Sequence, residues 1–372
     1  MSEKTIYEGL LERGISRRDF LNLATVITAA LGLEYAQMPR IARAMETKTR
    51  LPVIWLEFQD CAGCSEALTR SLDPTLTKLL LTDISLDYHE TLFAAAGSQA
   101  EHNKHRIMEE YAGQYVLVVE GAIPLKDNGV YCTIGGRSAE DLVKEAAAKA
   151  KAVIAVGTCS SFGGIPKANP NPTGAVGVGE IIKDKPVINV PGCPPIPEVI
   201  TNTIAHILLL DELPQLDALG RPKAFYGETV HDRCPRRPFY ERGQFAESFD
   251  DEGAKKGWCL YKLGCKGPTT YSACATIKWN GGVSFPVQSN HPCLGCTQPD
   301  FWDAGGFYHA LSVPSGAEEI RGKAAVTGVA GGAALAVGHA LYAKSKKQKA
   351  AKALKEHKKA EQQKQAQGGQ KE

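Results

Sequence analysis

The chain has 372 residues, 43% of them hydrophobic, and 43 basic side chains stand against 41 acidic ones for a formal net charge of +2. That length supports a sizeable core and two domains with appendages, and the near-neutral total gives no reason to expect nucleic acid among the partners. The cysteine count of 11 is odd, so the thiols cannot all pair within one chain; some are free or many are ligands.

The N-terminal stretch "SRRDFLNLATVITAALGL" joins Arg17 and Arg18 to an apolar run, and "ARA" at Ala42 to Ala44 supplies small residues for cleavage. Residues 1–44 therefore read as a twin-arginine export signal, with a mature chain from about Met45. An oxidising compartment favours disulfides. The twin-arginine route, however, serves proteins that fold around a cofactor before export, which favours ligand cysteines.

Residues 45–210 alternate apolar runs, "PVIWLEF", "QYVLVVEG", "KAVIAVG" and "KPVINVPG", with helical stretches such as "SAEDLVKEAAAKA" and "PEVITNTIAHILLL". This pattern predicts an α/β domain with a parallel sheet covered on both faces. Ligands of such sheets bind beyond the carboxyl ends of the strands. Cys61 and Cys64 follow the first run, Cys159 the third and Cys193 the fourth, so three loops on one sheet edge can gather four thiolates. By count, four thiolates suit zinc or an iron-sulfur cluster. The isolation of Cys159 and Cys193 favours the cluster.

Residues 211–310 are irregular and rich in Gly, Pro and Cys, and need something besides a large core to hold them. Here "WCLYKLGCKGPTTYSACATIKWNGGVSFPVQSNHPCLGC" carries five cysteines. Ala324 to Ala343 contains no Lys, Arg, Asp or Glu and is long enough to span a bilayer core of ~30 Å. The tail 344–372 follows with ten lysines and three glutamates, a cationic flank expected to stay in the cytoplasm. A single C-terminal membrane anchor is expected, with the body outside.

Together with "CAGC", "GTCSSFGG", "NPTGA", "GCPP", "HDRCPRRP" and "PDFWD", the cysteine-rich stretch resembles the small subunit of nickel-iron hydrogenases, in order from about Pro52 to Asp303. The resemblance implies a flavodoxin-like domain, then an irregular iron-sulfur domain, and a catalytic nickel-iron centre in a separate large subunit. It implies that Cys61, Cys64, Cys159 and Cys193 bind a proximal 4Fe-4S cluster. His231, Cys234, Cys259 and Cys265 match a distal 4Fe-4S site, and Cys274, Cys293 and Cys296 a medial 3Fe-4S site. Cys132 is left over as a small buried hydrophobe. Electrons would pass proximal to medial to distal, then to a membrane partner such as a cytochrome b or an iron-sulfur protein with an integral membrane subunit.

Three thiolates suit a cluster lacking one iron, and Pro286 is expected where a fourth ligand would stand. Oxygen-tolerant relatives add two cysteines at places that here hold Gly63 and Gly164, so the standard, oxygen-sensitive type is expected. Arg236, Arg237, Lys255, Lys256 and Lys266 are candidates for a basic docking face. "DYHETLFAAAG", with His89 and Glu90, resembles a family stretch near the subunit interface, though a capped helix explains it without any chemistry, and Glu66 is a candidate proton relay or, more economically, a helix-start carboxylate. Two other classes compete: an exported module stapled by zinc or disulfides, and an electron-carrying subunit of a different redox complex.

Overall fold

The computed structural model describes residues 5–12, 14–72, 75 and 84–310. Five strands form one all-parallel sheet: β1 (Leu51–Glu57), β2 (Ile84–His89), β3 (Val116–Glu120), β4 (Ala152–Val156) and β5 (Val187–Val190). Their order is β2-β1-β3-β4-β5, the doubly wound flavodoxin-like arrangement. Four strands coincide with the apolar runs of the sequence. β2, "ISLDYH", does not stand out because an edge strand needs less apolar surface and its middle residues are only half-buried.

Seven helices complete the part of the fold that matters here: α1 (Arg17–Ala30), α2 (Met38–Thr47), α3 (Gly63–Thr69), α4 (Gly97–Glu110), α5 (Ala139–Ala148), α6 (Gly157–Phe162) and α7 (Pro197–Leu210). Strand side chains alternate between two faces. Val53, Trp55, Val116, Val118, Ile154 and Val156 share one core with α7. Ile54, Leu56, Leu117, Val119, Val153 and Ala155 share the other with α4 and α5. Both faces are thus buried, which explains the continuous apolar runs.

The segment expected to be a removable signal is helical and packed in this structure. Ser16 caps α1 by accepting from Asp19 N. Phe20, Ala24, Ile41 and Met45 join the same core as α7, and Arg40 Nη2 donates to Leu210 O at 3.0 Å. Arg17 and Arg18 remain exposed.

Beyond Asp211 the chain runs through short helical turns around a small core of Val230, Ala246, Leu260, Leu263, Phe285 and Val287. Among the described residues no helix is long and apolar enough to cross a membrane. The expected anchor at Ala324–Ala343 and the tail 344–372 lie outside the described residues.

Candidate iron-sulfur sites

The parallel sheet places the first set of thiols at its carboxyl edge. Cys61 and Cys64 follow β1, with Cys64 in the first turn of α3. Cys159 lies in α6, directly after β4, and Cys193 follows β5. Burial pushes the Cys64 thiol well above its ordinary value, and Glu120, Cys159, Cys193 and Cys61 press it the same way. Burial likewise pushes Cys159 up to about 12. Cys64, Cys159 and Cys193 resist ionisation alone and need a cationic metal group to become thiolates, so the donor set fits a metal cluster. Gly157 leaves room for them: at φ +88° it sits so close that a Cβ there would be 2.5 Å from Cys64 Sγ.

Beneath this group lies a polar network that the sequence reading missed. Glu120 accepts from Cys64 N and Ser65 N, both at 3.0 Å, from Ser65 Oγ at 2.6 Å and from Trp55 Nε1 at 3.2 Å. Burial pushes its carboxyl up to about 7, against the pull of these donors. Glu57, Asp60 and Glu120 hold carboxylate oxygens within 4.8 Å of one another. The available signal was a carboxylate ending each of two buried strands, "WLE" and "VVE". His89 is also placed differently from expectation. It ends β2, fully buried, with Nε2 at 3.1 Å from Ser65 Oγ, and burial lowers it to about 4. Glu66 behaves as expected, in the first turn of α3 and paired with Arg70 at 2.6 Å.

The second set lines a small cavity among short turns. His231, Cys234, Cys259 and Cys265 share its wall with Leu260, Tyr261 and Val287. Arg236 N donates to Cys234 Sγ at 3.4 Å. Burial, and then Arg237, lower the His231 imidazole, which keeps it neutral and able to act as a ligand at physiological pH. Tyr240 meets its ring edge-on, with centroids 4.7 Å apart.

A third, mostly apolar cavity of about 190 Å³ is lined by Cys274, Cys293 and Cys296. Pro286 is in the same wall, together with Tyr226, Trp279 and Phe285. Burial raises all three thiols, Cys296 to about 12. Ser272 Oγ donates to Cys274 Sγ at 3.3 Å. An apolar chamber with thiols on its wall suits a compact metal-sulfur group; besides Cys193 of the first set it offers three donors. Cys132 stands apart beside the second sheet core, and burial pushes it up to about 11. All 11 cysteines are free thiols in this structure.

Two of the five cations expected on a basic docking face, Arg236 and Lys266, are buried instead. Arg236 is only 8% exposed; its Nε donates to Val287 O at 2.9 Å and its Nη1 to Trp258 O at 2.7 Å. Lys266 is 4% exposed and donates to Gly306 O at 3.2 Å. Arg237 is paired with Glu241, and Lys255 and Lys256 with Glu252. The irregular segment has few apolar residues, so long cationic side chains stitch its carbonyls together. Arg236→Met is accordingly expected to destabilise the protein by roughly 2–4 kcal/mol by leaving two buried carbonyls unpaired, measured as the shift of the urea midpoint at unchanged slope.

These features define a thiol-rich redox subunit built on a flavodoxin-like sheet. Residues 226–309 match the C-terminal family of the NiFe/NiFeSe hydrogenase small subunit, and residues 61–207 match the family of the NADH ubiquinone oxidoreductase 20 Kd subunit. The chain is 49% identical over 346 residues to the uptake hydrogenase small subunit of Azotobacter vinelandii, with 91% of this chain and 96% of that one covered. It is 50% identical over 307 residues to the hydrogenase-1 small chain of Citrobacter freundii, with 82% of each covered. Among solved structures, the reduced, active Ni-Fe-Se hydrogenase of Desulfomicrobium baculatum superimposes with a TM-score of 0.67 at 39% identity, covering 70% of this chain and 100% of that one. The chain belongs to the small-subunit family of nickel-iron hydrogenases.

Proposed function

We propose that this chain relays electrons from hydrogen oxidation at a nickel-iron centre in a large partner subunit, through three iron-sulfur clusters, to a membrane redox partner. Cys61, Cys64, Cys159 and Cys193 would hold the proximal 4Fe-4S cluster, Cys274, Cys293 and Cys296 the medial 3Fe-4S cluster, and His231, Cys234, Cys259 and Cys265 the distal 4Fe-4S cluster. The observation that supports this order most is the continuity of the three groups. The Cys193 amide lies against the Cys296 thiol, and Cys293 N donates to Cys265 Sγ at 3.4 Å. The first and second groups thus meet at one contact, and the second and third at another.

Iron-sulfur clusters supply one-electron carriers whose potentials follow ligand charge, hydrogen bonds to sulfur and solvent exposure. This chain's own groups act on all three factors. Ser272 donates to the Cys274 thiol, and Arg236 places a buried cation beside Cys234, Cys259 and Cys265. At His231 a neutral imidazole replaces a thiolate, which raises the distal potential and favours electron flow outward. His231 is half-exposed, whereas Cys259 and Cys265 are buried, so it marks the exit. Gly63 and Gly164 support the oxygen-sensitive type. Gly164 has φ +50°, and a Cβ there would lie 2.7 Å from the Cys159 backbone.

Residues 1–44 would act as a twin-arginine signal and Ala324–Ala343 as a single-pass anchor, placing the body on the periplasmic side of the cytoplasmic membrane. Ending the chain after Arg321 should release active, cluster-loaded protein into the soluble fraction. A truncated chain that still sediments with membranes would locate the anchor elsewhere. The relay itself is tested by purifying the chain with its partners. A co-purifying large chain containing nickel, and hydrogen-dependent reduction of a dye, are expected. A nickel-free partner would assign the chain to another redox complex.

A further inference from the structure

One buried hydroxyl bonds to both sides of the junction between the sheet and the irregular segment. Thr158 is the second residue of α6 and 1% exposed. Its N–H donates to Gly192 O at 2.9 Å, and its Oγ1 accepts from Gly192 N at 2.9 Å. The same Oγ1 donates its proton to Cys296 O. A hydroxyl has one proton to give and lone pairs to receive, so both of these bonds are used by different loops.

Those loops carry candidate ligands. Thr158 immediately precedes Cys159 and Gly192 immediately precedes Cys193, both of the proximal group, while Cys296 belongs to the medial group. We propose that Thr158 is a positioning residue that fixes the spacing between the proximal and medial sites by fastening the β4, β5 and Cys296 loops to a single buried hydroxyl. Neighbouring bonds hold the same seam from the other side. Tyr226 OH donates to Pro191 O at 2.8 Å, and Arg221 Nη1 lies 3.4 Å from Thr297 O. Neither of them ties a proximal loop to the Cys296 carbonyl; Thr158 alone does so among the described hydrogen bonds.

Electron transfer between two carriers falls steeply with their separation, so a small drift at this seam slows the relay without disturbing either site's ligands. The inference rests on the cluster assignment above. Its test compares Thr158→Val, which keeps the shape and removes the hydroxyl, with Thr158→Ser, which keeps the hydroxyl, in the complex with the large subunit. Three quantities are read: hydrogen–deuterium exchange, which needs no electron to leave the catalytic centre; hydrogen oxidation with a dye; and the magnetic interaction between reduced clusters, seen as broadening of their paramagnetic signal under hydrogen.

The valine variant is expected to keep its iron and its isotope exchange. Its oxidation rate should fall several-fold below the parent's while isotope exchange stays level, because electron transfer weakens exponentially as the carriers separate. The broadening should weaken in parallel, and serine should restore both. Parental oxidation and broadening in the valine variant would overturn the proposal. Iron loss in that variant would overturn it too, because the hydroxyl would then hold the fold and not the spacing. An iron-free parent protein is a separate result, measured first, that defeats the cluster assignment itself.

Discussion

Pro286→Cys is expected to abolish most of the paramagnetic signal of an oxidised 3Fe-4S cluster, while the parent protein shows that signal in full. The cavity beside Tyr226 and Phe285 presents Cys274, Cys293 and Cys296, and the one further thiol in its wall, Cys193, is assigned to the proximal group. Pro286 occupies the same wall and has no group able to bind iron. A cysteine there adds a thiolate, completes tetrahedral sulfur coordination around a fourth iron and adds negative charge. The medial potential should then fall. The proline is replaceable on backbone grounds, since a proline nitrogen donates no hydrogen bond that the cysteine would lose. The check is an oxidised-minus-reduced paramagnetic spectrum of both proteins at equal iron loading. A variant with an undiminished three-iron signal would remove Pro286 from the open corner.

Arg17→Lys combined with Arg18→Lys should stop export almost completely and leave a folded, cluster-loaded precursor inside the cell. Both arginines are exposed at the start of α1, so their replacement leaves the core contacts of Phe20 and Ala24 intact. Lysine keeps the charge and loses the planar fork of donors. The pair therefore isolates recognition of the guanidinium groups from charge and from folding. Cell fractionation with detection of the uncleaved chain decides the matter. Normal appearance of the double variant outside the cytoplasm would show that residues 1–44 are not read as a twin-arginine address.

Much of the sheet was legible because parallel strands buried on both faces must be apolar throughout, as Val116–Glu120 and Ala152–Val156 are. The thiols at their ends were legible for the same reason: once the strands are placed, Cys159 and Cys193 can only lie on the carboxyl edge. β2 escaped notice because an edge strand with a half-buried middle has no strong period, and so His89 was read as helical. The network of Glu57, Ser65 and Glu120 closes only through Glu120, 55 residues beyond Ser65. No local pattern announces such a network. Arg236 and Lys266 looked like surface charge because composition alone cannot say which cations turn inward. The Gly- and Pro-rich segment leaves many carbonyls unpaired by regular structure, and these two side chains satisfy some of them. The seam at Thr158 was equally hidden, since it depends on a contact across 138 residues.

The central claim is that ten thiols and one imidazole of this chain hold three iron-sulfur clusters. The most direct measurement is the iron and acid-labile sulfide content of the purified protein, read beside its visible absorption. Two 4Fe-4S clusters and one 3Fe-4S cluster predict about eleven iron atoms per chain, about twelve sulfides and a brown colour with broad absorption in the blue. A colourless protein that contains zinc, or no metal, would contradict the account.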